Sequence, residues 1–391
     1  MREIQTPLWT MAFRPLFLGA GITASLLAPL WLLSFAGVIG LPSHLGLVGW
    51  HAHEMLFGYT AAVIAGFMLT ATSNWTRLPT LRGRLLALVV VLWVTARIMM
   101  WCSARLHLGL VAVVQLSFLP AVALACALPI VRSRNWRNLG LVALLLMLAA
   151  CNAVMLLSLP VWRDMGTNHA AIIAMDVILM VIAVIAGRII PNFTRGAMAD
   201  ANIRPRSWID PLSLAILLAL LVADVFMPKQ TSITGSIALA AGMIHALRMR
   251  GWGTSRVLGQ PILWVLHLGY AWLALGLVLR GFALLRPGLL SHQAALHALS
   301  MGSIGTLTLG MMARVSLGHT GRRLVFARPI TFAVVALTLG VIVRIIGGAI
   351  QGATYLVWLA VAGALWTIAF ALFTYHYAPI LLQPRLDGKP G

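Results

Sequence analysis

Residues 107–131 read HLGLVAVVQLSFLPAVALACALPIV, an apolar run with no Lys, Arg, Asp or Glu. A bilayer core is crossed by about 20 predominantly apolar residues in an α-helix, which satisfies its backbone polar groups internally where no water is present. The run is long enough, and its interruptions are mild: Gln115, Ser117, Pro120 and Pro129.

Outward from it, segments of the same kind recur at about 12–36, 51–74, 84–102, 138–160, 167–190, 210–228, 232–249, 260–282, 291–314, 328–349 and 353–379. The breaks between them are short and rich in Pro, Gly, Arg and Asn, and the longest spans about 190–209. None has room for an extramembrane domain. The pattern predicts an all-α fold, a polytopic membrane helix bundle of about twelve transmembrane helices. It forms a single transmembrane helical domain over 1–391.

Composition agrees. Of 391 residues, 61% are hydrophobic and 9% charged, where a soluble domain carries about a quarter charged residues. The net charge of +20 would suggest a nucleic-acid partner in a soluble chain. Here the cations are thinly spread between apolar runs, which excludes that class.

Instead they report orientation. With a cytoplasmic N-terminus, 21 of the 28 Lys and Arg residues fall on inner segments. That bias alternates loop by loop and predicts both termini cytoplasmic. The three cysteines have no CxxC or CxxCH spacing and read as small apolar packing residues. Tryptophans at segment ends, among them Trp50, Trp136, Trp162 and Trp252, read as interfacial anchors. The N-terminus lacks the cleavage site of a removed signal peptide.

Chemistry is sought among polar groups inside spans, where they are costly. Eleven histidines against eight acids is an uncommon balance. The topology puts His51, His53 and Glu54 at the outer end of the second segment, His169 at the outer start of the sixth, and His292 and His297 in the outer part of the tenth. Imidazole is the usual ligand of haem iron and suits copper. A carboxylate beside it can relay protons. At about 100° per residue, His51 and Glu54 share a face while His53 points away. Two nearby centres, or a His51 lying ahead of the helix, would accommodate that geometry.

Against each histidine stands the plainer reading of an interfacial or hydrogen-bonded side chain. His44, His107, His245 and His376 keep that reading, and His267 is open between ligand and packed polar residue. Gly302, Thr306 and Gly310 form a small-residue stripe that admits a neighbouring helix or a flat cofactor. Arg14 and Arg97 are cations beside apolar sequence, placed either to meet a haem propionate or to snorkel. Asp176 follows His169 by seven residues, two turns away and too far for direct contact.

Several strings together resemble the NnrS family: FRPLF (13–17), GWHAHEMLFG (49–58), GFMLTA (66–71) with NWT (74–76), GRIIPNFTR (187–195), and HALSMG (297–302) running on to MARVSLGHTGR (312–322). The motif residues concerned are His51, His53, Glu54, Arg188, His297, Arg314 and His319. The resemblance implies a multi-pass protein of a bacterial cytoplasmic (inner) membrane, linked to nitric oxide metabolism and nitrosative stress. It implies non-covalent haem b, with copper as an optional second metal. The expectation is a nitric oxide reductase-type oxidoreductase whose partners are nitric oxide, an unidentified electron donor and the lipid bilayer.

On that expectation, His51 and Glu54 act in catalysis. One axial ligand comes from His297 or His53, and His169, Arg97 and Arg14 help to hold the cofactor. The candidate metal set is His51, His53, His169, His292 and His297. The competing readings are a non-catalytic haem or copper protein that buffers nitric oxide or protects metal centres, and a secondary transporter.

Overall fold

Helices form where the apolar segments predicted them. The structure, a computed structural model of the chain, describes residues 6–157, 166–198, 203, 208–348 and 354–388. In chain order the helices are α1 (Phe13–Phe35), α2 (Gly46–Thr76), α3 (Gly83–Trp101), α4 (Leu108–Arg132), α5 (Leu139–Leu157) and α6 (Gly166–Ala197). They continue as α7 (Ile209–Phe226), α8 (Thr231–Met249), α9 (Pro261–Leu285), α10 (His292–His319), α11 (Arg328–Gly347) and α12 (Tyr355–Leu382). No strand occurs among the described residues. Eleven of the twelve are long and apolar enough to cross a membrane, which makes this a multi-pass membrane protein. The exception is α8, 19 residues long, whose His245 and Arg248, with its Thr, Ser and Gly residues, lower its hydropathy.

Several helices outrun their predicted ends. The sixth segment was drawn to end at 190 and the twelfth at 379, yet α6 runs on through Pro191 and α12 beyond Pro379. In a membrane helix the freed carbonyl is re-satisfied by neighbours, so proline is a weaker terminator than in water. Two helices widen locally into π-helical turns: Glu54–Thr60 in α2 and Ala298–Gly305 in α10. His51 therefore lies inside α2.

The chain divides into two compact units. Unit 1 comprises Met1–Ala174, Met312–Arg323 and Phe370–Gly391. In it α1 packs against α2, where Phe17 and Leu16 close over Gly66. Arg14 is fully buried and its Nη1 donates to the carbonyls of Leu381 and Gln383, fastening the start of α1 to the end of α12. Trp50 is also buried, edge-on to Trp101 at 5.3 Å.

Unit 2 comprises Met175–Met311 and Leu324–Ala369. Here α8 lies close along α9. A Cβ at Gly242 would come within 2.7 Å of the Ala274 carbonyl, and one at Gly281 within 2.8 Å of the Leu239 nitrogen. Close backbone approach through small residues is how membrane helices gain van der Waals contact when lipid is as apolar as the protein. It explains why a helix of modest hydropathy is retained beside α9. Trp252 is buried against Tyr270 at 4.5 Å. For Trp50 and Trp252 the anchor reading is thus corrected: each ring fills a protein interior. Trp136 is exposed, as an anchor would be, and Trp162 lies outside the described residues.

Candidate functional site

In unit 1 the π turn of α2 opens on a buried polar cluster. His53 is fully buried, with its Nδ1 3.0 Å from Glu54 Oε1 and its Nε2 2.9 Å from Asn152 Oδ1 on α5. Glu54, 2% exposed, also accepts from Arg97 Nη1 of α3 at 2.5 Å. The other arm of Arg97 donates to Gln115 Oε1 on α4 at 2.6 Å, and Gln115 Nε2 donates to the Ala96 carbonyl. Four helices thus supply one carboxylate, one guanidinium, one imidazole and two amides. The ion pair between Glu54 and Arg97 balances charge, and the amides take up the remaining bonding capacity, as buried ions require.

This geometry corrects the helical-wheel reading of α2. Glu54 was expected to share a face with His51, away from His53. Its carboxylate instead bonds the imidazole of its immediate neighbour, because a long side chain reaches around the helix where Cα positions alone suggest divergence. The His51 ring packs on Trp31 of α1, with centroids 4.6 Å apart. Whichever way the Asn152 amide is turned, neither nitrogen of His53 is left to bind a metal while both hydrogen bonds persist. Arg97 is committed to Glu54 and Gln115, and Arg14 to backbone carbonyls.

His169 is half-buried in the first turns of α6, also in unit 1. His319 lies against Phe13 at 5.6 Å, and its carbonyl accepts from Arg385. In the loop before α2 the exposed His44 hydrogen-bonds the Leu156 carbonyl at 3.3 Å, and partial desolvation holds its pKa below the ordinary histidine value.

In unit 2, His297 stands where α10 widens. Its Nδ1 donates to the Gln293 carbonyl at 2.7 Å, one turn back. That bond places the ring proton on Nδ1 and the lone pair on Nε2, the tautomer of a metal-ligating histidine oriented by a backbone carbonyl. Beyond it the buried hydroxyls of Ser303 and Thr306 and the indole nitrogen of Trp272 find no hydrogen-bond partner. Buried polar atoms are satisfied in the great majority of cases, so such orphans ask for a reason.

The stripe of Gly302 and Gly310 serves helix packing. Trp272 would lie 3.0 Å from a Cβ at Gly302, and Val265 2.9 Å from one at Gly310, both on α9. His267 hydrogen-bonds the hydroxyls of Thr194 and Thr254, a packed polar residue with both nitrogens engaged. His292 is half-buried, and its Nδ1 has no hydrogen-bond partner.

Among the described residues, no group of three or more His, Cys, Asp or Glu is arranged to hold a metal ion. A multi-ligand copper site therefore finds no fitting donor set there. Haem iron makes a smaller demand, since one axial imidazole can suffice.

The NnrS family model matches residues 7–385, nearly the whole chain. The chain belongs to the NnrS family. That family is linked to the nitric oxide response. A search of curated proteins returns no match. The NnrS motifs map onto the two helices with π turns: GWHAHEMLFG spans the entry to the α2 π turn, and HALSMG that of α10. Sequence reasoning passed over Asn152, Gln115 and Arg280 as functional candidates. Gln115 carried a legible signal, an amide in the middle of an otherwise apolar span. Arg280 carried another, a cation set five residues inside the end of α9.

Proposed function

We propose that this NnrS protein binds nitric oxide at a non-covalently held haem b and reduces it to nitrous oxide. Two NO molecules, two electrons and two protons give one N2O and one water, so the reaction needs an external electron donor and a proton supply.

The observation that carries the reading is the His297 imidazole, tethered through Nδ1 to its own helix in a family linked to nitric oxide. Bound there, haem would supply an iron with an open position for a diatomic ligand. The protein's part is to fix the ring. The carbonyl of Gln293 sets the tautomer and aim, as backbone acceptors do for ligating histidines. In unit 1 the Glu54 carboxylate, shared between His53 and Arg97, is the group we assign to proton handling. No step is assigned to copper.

The competing reading is a protein that binds nitric oxide and releases it unchanged. An electrode trace of NO consumption by purified protein with a chemical reductant separates the two readings. Catalysis predicts continued consumption beyond one equivalent, with N2O accumulating; a trace that stops at one equivalent leaves binding alone. The transporter reading calls for discontinuous helices, whereas α2 and α10 widen but remain continuous.

A further inference from the structure

Away from both histidine sites, unit 2 buries a cation for which its described helices supply no anion. Arg344 lies in the last turn of α11 and is 7% exposed, and its Nη1 is buried without a hydrogen-bond partner. Buried polar atoms rarely go unsatisfied, and a buried charge is normally paired. The polar side chain that interacts with this guanidinium is Tyr355, at the start of α12, a phenol and not a carboxylate.

The acids of this unit are engaged elsewhere. Asp176 and Asp224 both bond Arg280, and Asp210 bonds Arg248. No ion pair to Arg344 occurs among the described residues. Residues 349–353, which follow outside the described set, contain no acid. Helix ends do not supply the charge either. The carbonyl end of α11 carries about half a unit of negative charge, and an amide end carries the opposite. The guanidinium reaches such an amide end. A Cβ at Gly348 would lie 3.4 Å from Arg344 Nη1 and 3.3 Å from the Ala294 Cβ, in the first turn of α10.

Snorkelling does not account for the placement. A snorkelling arginine buries its stem and keeps its head in water, whereas here the head atom Nη1 is the buried one. The flanks are apolar and open: Ile346 on α11 and Leu356 and Val357 on α12 are exposed. On spanning helices such side chains meet acyl chains. The last turn of one span and the first turns of two others put Arg344 at the depth of lipid headgroups, away from the midplane.

We infer that Arg344 receives the phosphate of a bound phospholipid, Nη1 donating to a phosphate oxygen while Ile346, Leu356 and Val357 meet the acyl chains. A phosphate diester carries a single negative charge, which matches one guanidinium, and arginine–phosphate pairs are among the strong charge-assisted bonds. Basic pockets between membrane helices hold headgroups in this way. The lipid completes unit 2 by supplying a counter-ion where the end of α11 meets the starts of α10 and α12. The site stands apart from the nitric oxide reading and needs no haem.

The test is native mass spectrometry of the full-length protein in a maltoside detergent and phosphate-free buffer, titrated with phosphatidylglycerol, with thermal midpoints read alongside. The wild type should retain one more phospholipid per chain than Arg344→Gln, and its midpoint should rise as the lipid is added. Arg344→Gln should bind that lipid about tenfold more weakly, the scale of one lost charge-assisted bond. Without lipid it should melt no lower than the wild type, because it removes a buried unpaired charge. Arg344→Lys, which keeps the charge, should recover part of the binding. Arg323→Gln, at an exposed arginine, should bind as the wild type does. Equal lipid retention by the wild type and Arg344→Gln overturns the site. A midpoint raised as far by inorganic phosphate alone overturns the lipid as its occupant.

Discussion

Helices α2 and α10 begin alike and end up differently employed. Each carries a histidine directly before a π turn, with glycines five and thirteen residues further on: His53, Gly58 and Gly66 in one, His297, Gly302 and Gly310 in the other. A π turn inserts extra backbone into a helix and is often found at functional sites. In α2 the histidine is sealed by a carboxylate and an amide, inside an ion pair that spans to α3 and α4. In α10 its Nδ1 is held by a carbonyl of its own helix. The same local device thus serves two purposes. The first locks a charge-balanced cluster; the second presents one imidazole nitrogen with a defined lone pair.

The largest effect that would break this contrast is on cofactor content. His297→Ala should abolish the haem optical bands, while His53→Ala should leave them in whatever protein survives purification. Bands lost only in His53→Ala would reverse the assignment.

The next effect sharpens the picture of α2 as a locked cluster. Glu54→Ala leaves Arg97 buried without its counter-ion, a change that costs about 3–5 kcal/mol when a buried pair is broken. A large fall in thermal midpoint is expected, with Glu54→Gln recovering part of it. An unchanged midpoint for Glu54→Ala would mean that the cluster does not hold unit 1 together.

A smaller effect concerns the glycines. A Cβ at Gly58 would come within 2.6 Å of Arg97 Nη1, the far end of a side chain pinned by two partners. At Gly302 it meets the Trp272 ring at 3.0 Å. Overpacking of this kind costs typically 1–3 kcal/mol. Gly58→Ala should be the more disruptive of the two in melting experiments, because it strains an ion pair as well as packing.

The smallest concerns pH. His44, though exposed, has its folded-state pKa lowered by partial desolvation. Its stabilising contribution is fully present above the ordinary histidine value and is lost as pH falls through the lowered one. Acidification through that window should weaken unit 1 of the wild type, and less so in His44→Ala. Parallel pH profiles for the two would discount the lowered pKa of His44.

How much of this was legible beforehand differs between fold and site. Twelve helices followed from segment length and apolarity, because the bilayer imposes a single rule on every span. Their ends did not: Pro191 and Pro379 sit inside helices where the aqueous rule would stop them. His53, Glu54 and His297 stood out in the sequence by rarity, as polar groups within apolar segments. Their partners were not, since Asn152 lies 99 residues from His53 and Arg280 lies 104 from Asp176. Periodicity within one helix says nothing about which neighbour it meets. It also misplaced Glu54, whose long side chain decides its contact where the helical angle would not.

The central claim is that His297 presents a haem-ligating nitrogen to which nitric oxide has access. Its most direct measurement is the optical spectrum of purified, reduced protein before and after addition of NO, for the wild type and His297→Ala side by side. The account predicts haem bands in the wild type that shift with NO and are absent from the variant. A variant that keeps both the bands and their response to NO would contradict it.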